Sequence, residues 1–296
     1  RLIKEQLETL ECAAVIGDEF STDILAKMTG VGKITLLKNL SDIEKTHKLI
    51  HYLQKKYKFD HAKIREVLYI GIIDELKREY HRLVADTIMG MHKDNLDDAA
   101  ADLAHHLLQA GDERAGKYLI KAGNMAKERF GNVEAIRAYQ NALPFIKEDE
   151  KIVTLERLAD MLMINGDYDK AIETYATAGD ATKDDEKRAR MLRKTGEVYE
   201  RKGEFDKVIE TVKKAKDLIK ESKTPEPGRL LNLEGMAYFR KGDYDRGLAL
   251  AQAALKIFEE TGAEQKDVGN VLRAIGNMHW SKADYDNALR YQEKSL

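Results

Sequence analysis

Along most of this chain apolar side chains recur three and four positions apart, the spacing of amphipathic helices. Leu2, Leu7, Leu10, Ala13, Ala14 and Val15 predict a first helix, which Gly17-Asp18 ends. A second begins at Ser21 or Thr22, whose hydroxyl caps it, and runs through Ile24, Leu25 and Met28 to Gly30. Ile34, Leu37, Leu40 and Ile43 line a third. The period then changes: Leu49 to Leu53, a polar turn at Gln54-Lys55-Lys56, and Tyr57-Lys58-Phe59 predict a short β-hairpin. A helix from about His61 follows, with Ile64, Val67 and Leu68 on one face.

Three helices, a hairpin and a closing helix make a winged-helix type of unit, a relative of helix-turn-helix. Such a unit invites a DNA-binding reading, which its charge does not favour. Residues 1–85 hold 15 Lys+Arg and 13 Asp+Glu, and Asp42 and Glu44 share the third helix with Lys33, Lys38 and Lys45. Gly30-Val31-Gly32-Lys33 has Lys27 where a phosphate-binding loop needs Gly and Ile34 where it needs Ser or Thr. It reads instead as the end of one helix and the start of the next.

Beyond this unit, Leu76, Tyr80, Leu83, Val84, Ala85 and Ile88 predict a long helix from Asp74 to about Met91. Lys93-Asp94-Asn95 marks a boundary, and a further helix spans roughly Leu96 to Ala110. His105 and His106, adjacent on that helix, are expected to point to different faces, and no metal set is expected for any of the 8 His.

The second half is organised by repetition. Gly166-Asp167-Tyr168-Asp169, Gly203-Glu204-Phe205-Asp206, Gly242-Asp243-Tyr244-Asp245 and Ala283-Asp284-Tyr285-Asp286 start 37, 39 and 41 residues apart. Ala159, Gly196, Gly235 or Gly276 precedes each turn, and Ala171, Val208, Gly247 or Ala288 follows it. This small-and-large code resembles that of tetratricopeptide repeats over roughly residues 113–296, with a looser first copy at Gly123, Ala126, Ala135, Tyr139 and Ala142. The resemblance implies a superhelix whose inner wall comes from the first helix of each pair. It would place Arg190, Arg193, Glu197 and Arg201, then Arg229, Asn232, Met236, Phe239 and Arg240, then Asn270, Arg273, Asn277 and Trp280 on that wall. Arginine forks, amides and aromatic rings suit a peptide or an anionic ligand. A merely solvated wall is the bland alternative.

Composition narrows the class without naming a chemistry. Fifty basic and 52 acidic side chains leave a net charge of −2, which argues against a bulk polyanion partner. Cys12, the one cysteine, forms no intrachain disulfide, so a cytoplasmic chain is expected, and no apolar run is long enough for a membrane helix. No nucleophile with a matched base appears, so no enzyme is expected in this segment. Arg1-Leu2-Ile3-Lys4 and Ser295-Leu296, the latter inside an expected helix, suggest a piece of a longer protein.

Two stretches carry a second resemblance. Ala13-Ala14-Val15-Ile16-Gly17-Asp18-Glu19-Phe20 and Phe59-Asp60-His61-Ala62-Lys63-Ile64-Arg65-Glu66-Val67-Leu68-Tyr69 together resemble the winged-helix domain of STAND signal-transduction ATPases, where it follows the nucleotide-binding core. The resemblance implies that His61 contacts the β-phosphate of bound ADP and helps hold a closed state. Asp60 and Ala62 depart from that family's Met-His-Asp motif, which has an apolar residue and an aspartate at those places.

The expectation is therefore a mainly α chain in three parts: a winged-helix domain with its linking helix at 1–90, a helical arm with a degenerate repeat at 91–150, and a repeat sensor at 151–296. Its partners would be a nucleotide-binding core in the same chain, which binds ADP or ATP, and an inducer peptide, protein or small molecule. No cofactor is expected in the segment itself. The alternative is a DNA-binding winged-helix regulator or scaffold whose repeats bind a protein.

Overall fold

The structure, a computed structural model, describes residues 2–93 and 95–295; Arg1, Leu296 and Asp94, the middle of the expected boundary, lie outside the described residues. The chain forms two compact units, residues 1–129 with 140–146, and residues 130–139 with 147–296.

In the first unit, α1 (Lys4–Ile16), α2 (Thr22–Thr29) and α3 (Lys33–Asp42) precede a hairpin of β2 (Ile50–Leu53) and β3 (Lys56–Phe59). The Ser21 hydroxyl accepts the Asp23 N–H at 3.2 Å, capping α2 as its sequence predicts. Gln54 and Lys55 turn the hairpin with φ of 46° and 72°, the double left-handed geometry that matches strand twist. A strand that the apolar pattern did not announce, β1 (Glu19–Phe20), pairs antiparallel with β3, giving the order β1-β3-β2. Two residues are too few to show alternation; pairing with β3 supplies the missing stabilisation. Phe20, fully buried, stacks on Tyr57 at 5.9 Å and meets Phe59 at 5.4 Å, so the sheet's inner face joins Leu25, Leu36, Leu40 and Ile50 in one core.

Four more helices follow: α4 (Ala62–Gly71), α5 (Asp74–Met91), α6 (Ala100–Ala110) and α7 (Ala115–Glu128). In α8 (Asn132–Ala142) the chain passes between the units. The Leu143–Phe145 turn lies so close to α7 that a β-carbon at Gly116 would stand 2.7 Å from the Phe145 carbonyl oxygen.

The histidines correct an expectation. His105 and His106 do not diverge: their rings lie 5.0 Å apart, and both face His81 of α5, at 5.7 and 5.1 Å. Successive helical side chains leave the axis about 100° apart, and a ring from the neighbouring helix fits into that angle. His81 and His106 are buried, whereas His105 is exposed. Burial disfavours charge on these rings, aided by one another and by Arg65, and pushes His81 down to about 4 and His106 to about 3.

The second unit is a run of helix pairs. They are α9 (Glu148–Asn165) with α10 (Tyr168–Asp180), α11 (Asp185–Lys202) with α12 (Phe205–Leu218), α13 (Glu226–Arg240) with α14 (Tyr244–Thr261), and α15 (Gln265–Ser281) with α16 (Tyr285–Lys294). Each repeat motif is the joint of a pair. At Gly166, Gly203, Gly242 and Ala283 φ is +88°, +74°, +87° and +60°. The next N–H reaches back to Leu162, Tyr199, Tyr238 or His279 at 2.9 to 3.0 Å, the six-to-one bond of a left-handed helix end.

Small residues then let the helices close: a β-carbon on Gly235 would stand 2.9 Å from the Gly247 carbonyl oxygen, and the reverse also holds. Ala159, Ala171, Ala178, Val208 and Ala215 are fully buried at the corresponding contacts. Successive joints are linked by ion pairs from the lysine before each glycine or alanine to an aspartate of the preceding motif. Lys202 reaches Asp169 at 2.7 Å, and Lys241 with Asp206 and Lys282 with Asp245 repeat the link.

Candidate ligand groove of the repeat unit

The first helices α11, α13 and α15 present their N-terminal and central turns to one another, and charge decides how they meet. Pro225 and Pro227 flank Glu226 where α13 starts, a position that suits both proline and an acid. Glu226, only 4% exposed, accepts the Arg193 Nε–H at 2.6 Å and an Arg229 N–H at 3.2 Å. Arg193 also pairs with Glu197, and Arg229 closes a fork on Asp267 at 3.0 and 2.7 Å. The result is a ladder, Glu197–Arg193–Glu226–Arg229–Asp267, spanning three repeats.

Burial opposes the Arg193 charge, yet Glu197 and Glu226 outweigh it and hold its pKa above the usual value. The hydrogen bonds that Arg229 donates to Asp267 do the same for Arg229. Glu200 shifts upward, because burial disfavours its carboxylate more than Arg240 restores it.

Nine of the side chains predicted for the inner wall line one open groove of about 660 Å³: Arg193, Glu197, Arg201, Arg229, Asn232, Met236, Asn270, Arg273 and Asn277. Four do not. Arg190 turns to Glu156 at 3.0 Å, and Arg240 is exposed outside it. Phe239 packs on Tyr244 at 5.6 Å, and Trp280, 65% exposed, meets Tyr285 edge-on at 5.0 Å.

The arginine forks expected to await a ligand are engaged by Glu226 and Asp267, acids in the opening turn of the next repeat's first helix. Their chain separations of 33 and 38 residues are about one repeat, the signal that could have found them. The amides are less committed: Asn277 Oδ1 accepts from Gln292 at 2.9 Å and Asn270 Oδ1 from Arg273 at 3.0 Å. Asn232 Oδ1 is buried with no hydrogen-bond partner.

In the first unit, His61 stands in extended geometry at the N-terminal cap of α4, exposed, its side chain making no cap hydrogen bond. The two stretches that carried the second resemblance pack on each other: Phe59 N–H donates to Asp18 O at 3.1 Å, and Arg65 donates to Ala14 O at 2.9 Å and to the Asp18 carboxylate at 3.3 Å. On α3, Lys33 is held by Asp23 at 2.5 Å, while Ile34 is 73% exposed.

Comparison with known proteins agrees with this architecture. Residues 227–296 and 154–189 each match a tetratricopeptide-repeat family model. The second unit is thus an α-solenoid of tetratricopeptide-like repeats. No curated protein matches the sequence significantly. Among solved structures, BtubC (BKLC) from P. vanneervenii is similar with a TM-score of 0.53 and 16% identity, over 71% of this chain and 89% of that one. The apo form of RapI gives 0.56 and 18%, over 79% and 68%. A STAND protein with a tetratricopeptide repeat sensor from Pyrococcus horikoshii gives 0.47 and 16%; this chain is covered in full and spans 44% of that protein. At such identities the likeness to BtubC and RapI concerns the fold alone. Among the described residues no helix is long and apolar enough to cross a membrane.

Proposed function

We propose that this chain is the regulatory and sensor part of a STAND-type signal-transduction ATPase, in which the groove across α11, α13 and α15 binds an inducer peptide or protein. The observation that carries the reading is the convergence of nine wall residues from three repeats on one groove. The ladder neutralises most of its charge internally, so recognition falls to amides and to side chains outside the ladder. Asn270 and Asn277 offer both donors and acceptors to an extended peptide backbone, Asn232 adds its amide N–H, and Arg201 and Arg273 add positive charge at the rim.

The first unit supports the regulatory half. Its order of helix, short strand, two helices and hairpin supports the winged-helix reading. His61 opens α4 at a helix N-terminus, where free N–H groups favour a phosphate. The same helix carries Val67 and Ile70, 62% and 67% exposed, and Ile73 just beyond is 69% exposed, a surface suited to cover by a nucleotide-binding core. The DNA alternative has little from α3, whose Lys33 is paired and whose exposed face includes Ile34. An inducer can open such a protein only by binding the open form more tightly.

In the parent ATPase, His61→Ala is expected to speed ADP release at least several-fold. Retention equal to the parent's would remove the nucleotide role and leave the groove to be tested separately. A peptide library on the purified chain, read against Asn232→Leu and Arg273→Ala, tests the groove; ligands that bind these variants and the parent equally would place recognition elsewhere.

A further inference from the structure

The three histidines at the α5–α6 contact belong neither to the groove nor to the surface around His61. Their ligand-capable atoms all lie within 4.8 Å of one another, one atom from each ring. We propose that His81, His105 and His106 form a three-nitrogen site for a divalent transition metal of the zinc class, with a fourth position open to solvent on the His105 side.

The geometry of the rings carries this. The His81 and His106 Nδ1 atoms face each other at 2.8 Å, sharing one proton between two ring nitrogens. A tetrahedral zinc bonded at about 2.0–2.1 Å holds its nitrogens roughly 3.3 Å apart. These two therefore need to separate by only about half an ångström. The shared proton moves to the other nitrogen of whichever ring held it, so each ring keeps one proton and offers one lone pair. His105, being exposed, has the freedom to swing in as the third donor.

The outer partner of a ligating histidine is also in place. Tyr69 Oη lies 2.9 Å from His81 Nε2, so a proton on that nitrogen has an acceptor and Nδ1 is left to bind. Lys77 stands over the Tyr69 ring, 5.0 Å from its centroid. A cation nearby disfavours a hard ion held by charge alone and leaves the site to a borderline ion that bonds to imidazole nitrogen.

The full chain, freed of metal and titrated with zinc alone, is expected to bind one equivalent with a rise in melting temperature. Cobalt(II) alone should develop the intense visible bands of tetrahedral ligation. His105→Ala removes an exposed ligand without opening the core; its metal-free circular dichroism and melting should match the parent's, and zinc affinity should fall at least ~10-fold. Tyr69→Phe should weaken binding less. A parent chain that leaves zinc unbound overturns the proposal, and so does a folded His105→Ala that binds as the parent does.

Discussion

Arg193 donates its Nε–H to Glu226 across 2.6 Å with side chains only 12% and 5% exposed, joining the first helices of two successive repeats. Removing one partner of such a pair leaves a charge in a site that cannot solvate it. Glu226→Ala is expected to destabilise the chain by about 3 kcal/mol in urea unfolding. A paired replacement, Arg193→Met with Glu226→Leu, should recover most of that loss, and the double-mutant cycle reads the coupling directly. Additive losses would show that the pair contributes nothing beyond its separate contacts.

Ala283 occupies, at φ +60°, the joint position that glycine holds in the three earlier repeats. A β-carbon in left-handed backbone costs about 1 kcal/mol. Ala283→Gly should therefore stabilise the chain and Gly242→Ala destabilise it, each by about 1 kcal/mol, measured as opposite shifts in denaturation midpoint.

Gly235 and Gly247 bring two helix backbones together, and either β-carbon would stand 2.9 Å from a carbonyl oxygen that cannot rotate away. Gly235→Ala is expected to cost about 1–3 kcal/mol by overpacking. An equal substitution at Gly90, inside α5 with nothing within 4 Å, should not destabilise the chain on the same unfolding curve.

Acid sensitivity should include a contribution from Asp112. Arg114 grips its carboxylate at 2.9 and 2.7 Å, with Arg82 at 3.7 Å and the Asp86 carboxylate on the far side of Arg114. The Arg114 hydrogen bond leads in lowering Asp112 from 3.8 to about 2. A depressed carboxylate stabilises the fold above its unfolded pKa, and that stabilisation is lost as pH falls from about 4 through about 2. Asp112→Asn should flatten the stability-against-pH curve in that window alone.

Asn232 sets stability against recognition. Its buried Oδ1 has no partner, and an unsatisfied acceptor costs about 1–3 kcal/mol. Asn232→Leu is expected to raise the stability of the ligand-free chain by about 1 kcal/mol while abolishing peptide capture in the groove. A variant that loses both stability and binding would make Asn232 a packing residue.

Much of this fold could be read from the residues because its signals are local. Gly203 before Phe205, or Gly242 before Tyr244, announces a left-handed helix end and the pair that follows. Gln54-Lys55 between two apolar runs announces the hairpin. What escaped was decided by partners distant in sequence. Glu226 and Asp267 look like ordinary acids at helix starts until the preceding repeat brings Arg193 and Arg229 over them. His105 and His106 look divergent until His81 enters between them from another helix. Trp280 resembled a wall residue by spacing, yet Tyr285 offers it a ring 5.0 Å away.

The lysine-to-aspartate links and the arginine ladder grip opposite ends of the first helices, and they differ in how much water they see. The side chains of Asp169, Asp206 and Asp245 are 85–87% exposed, whereas that of Glu226 is 5% exposed. Added salt screens the first set and hardly touches the second. Rising ionic strength therefore weakens the links between successive joints while the ladder between the first helices is retained.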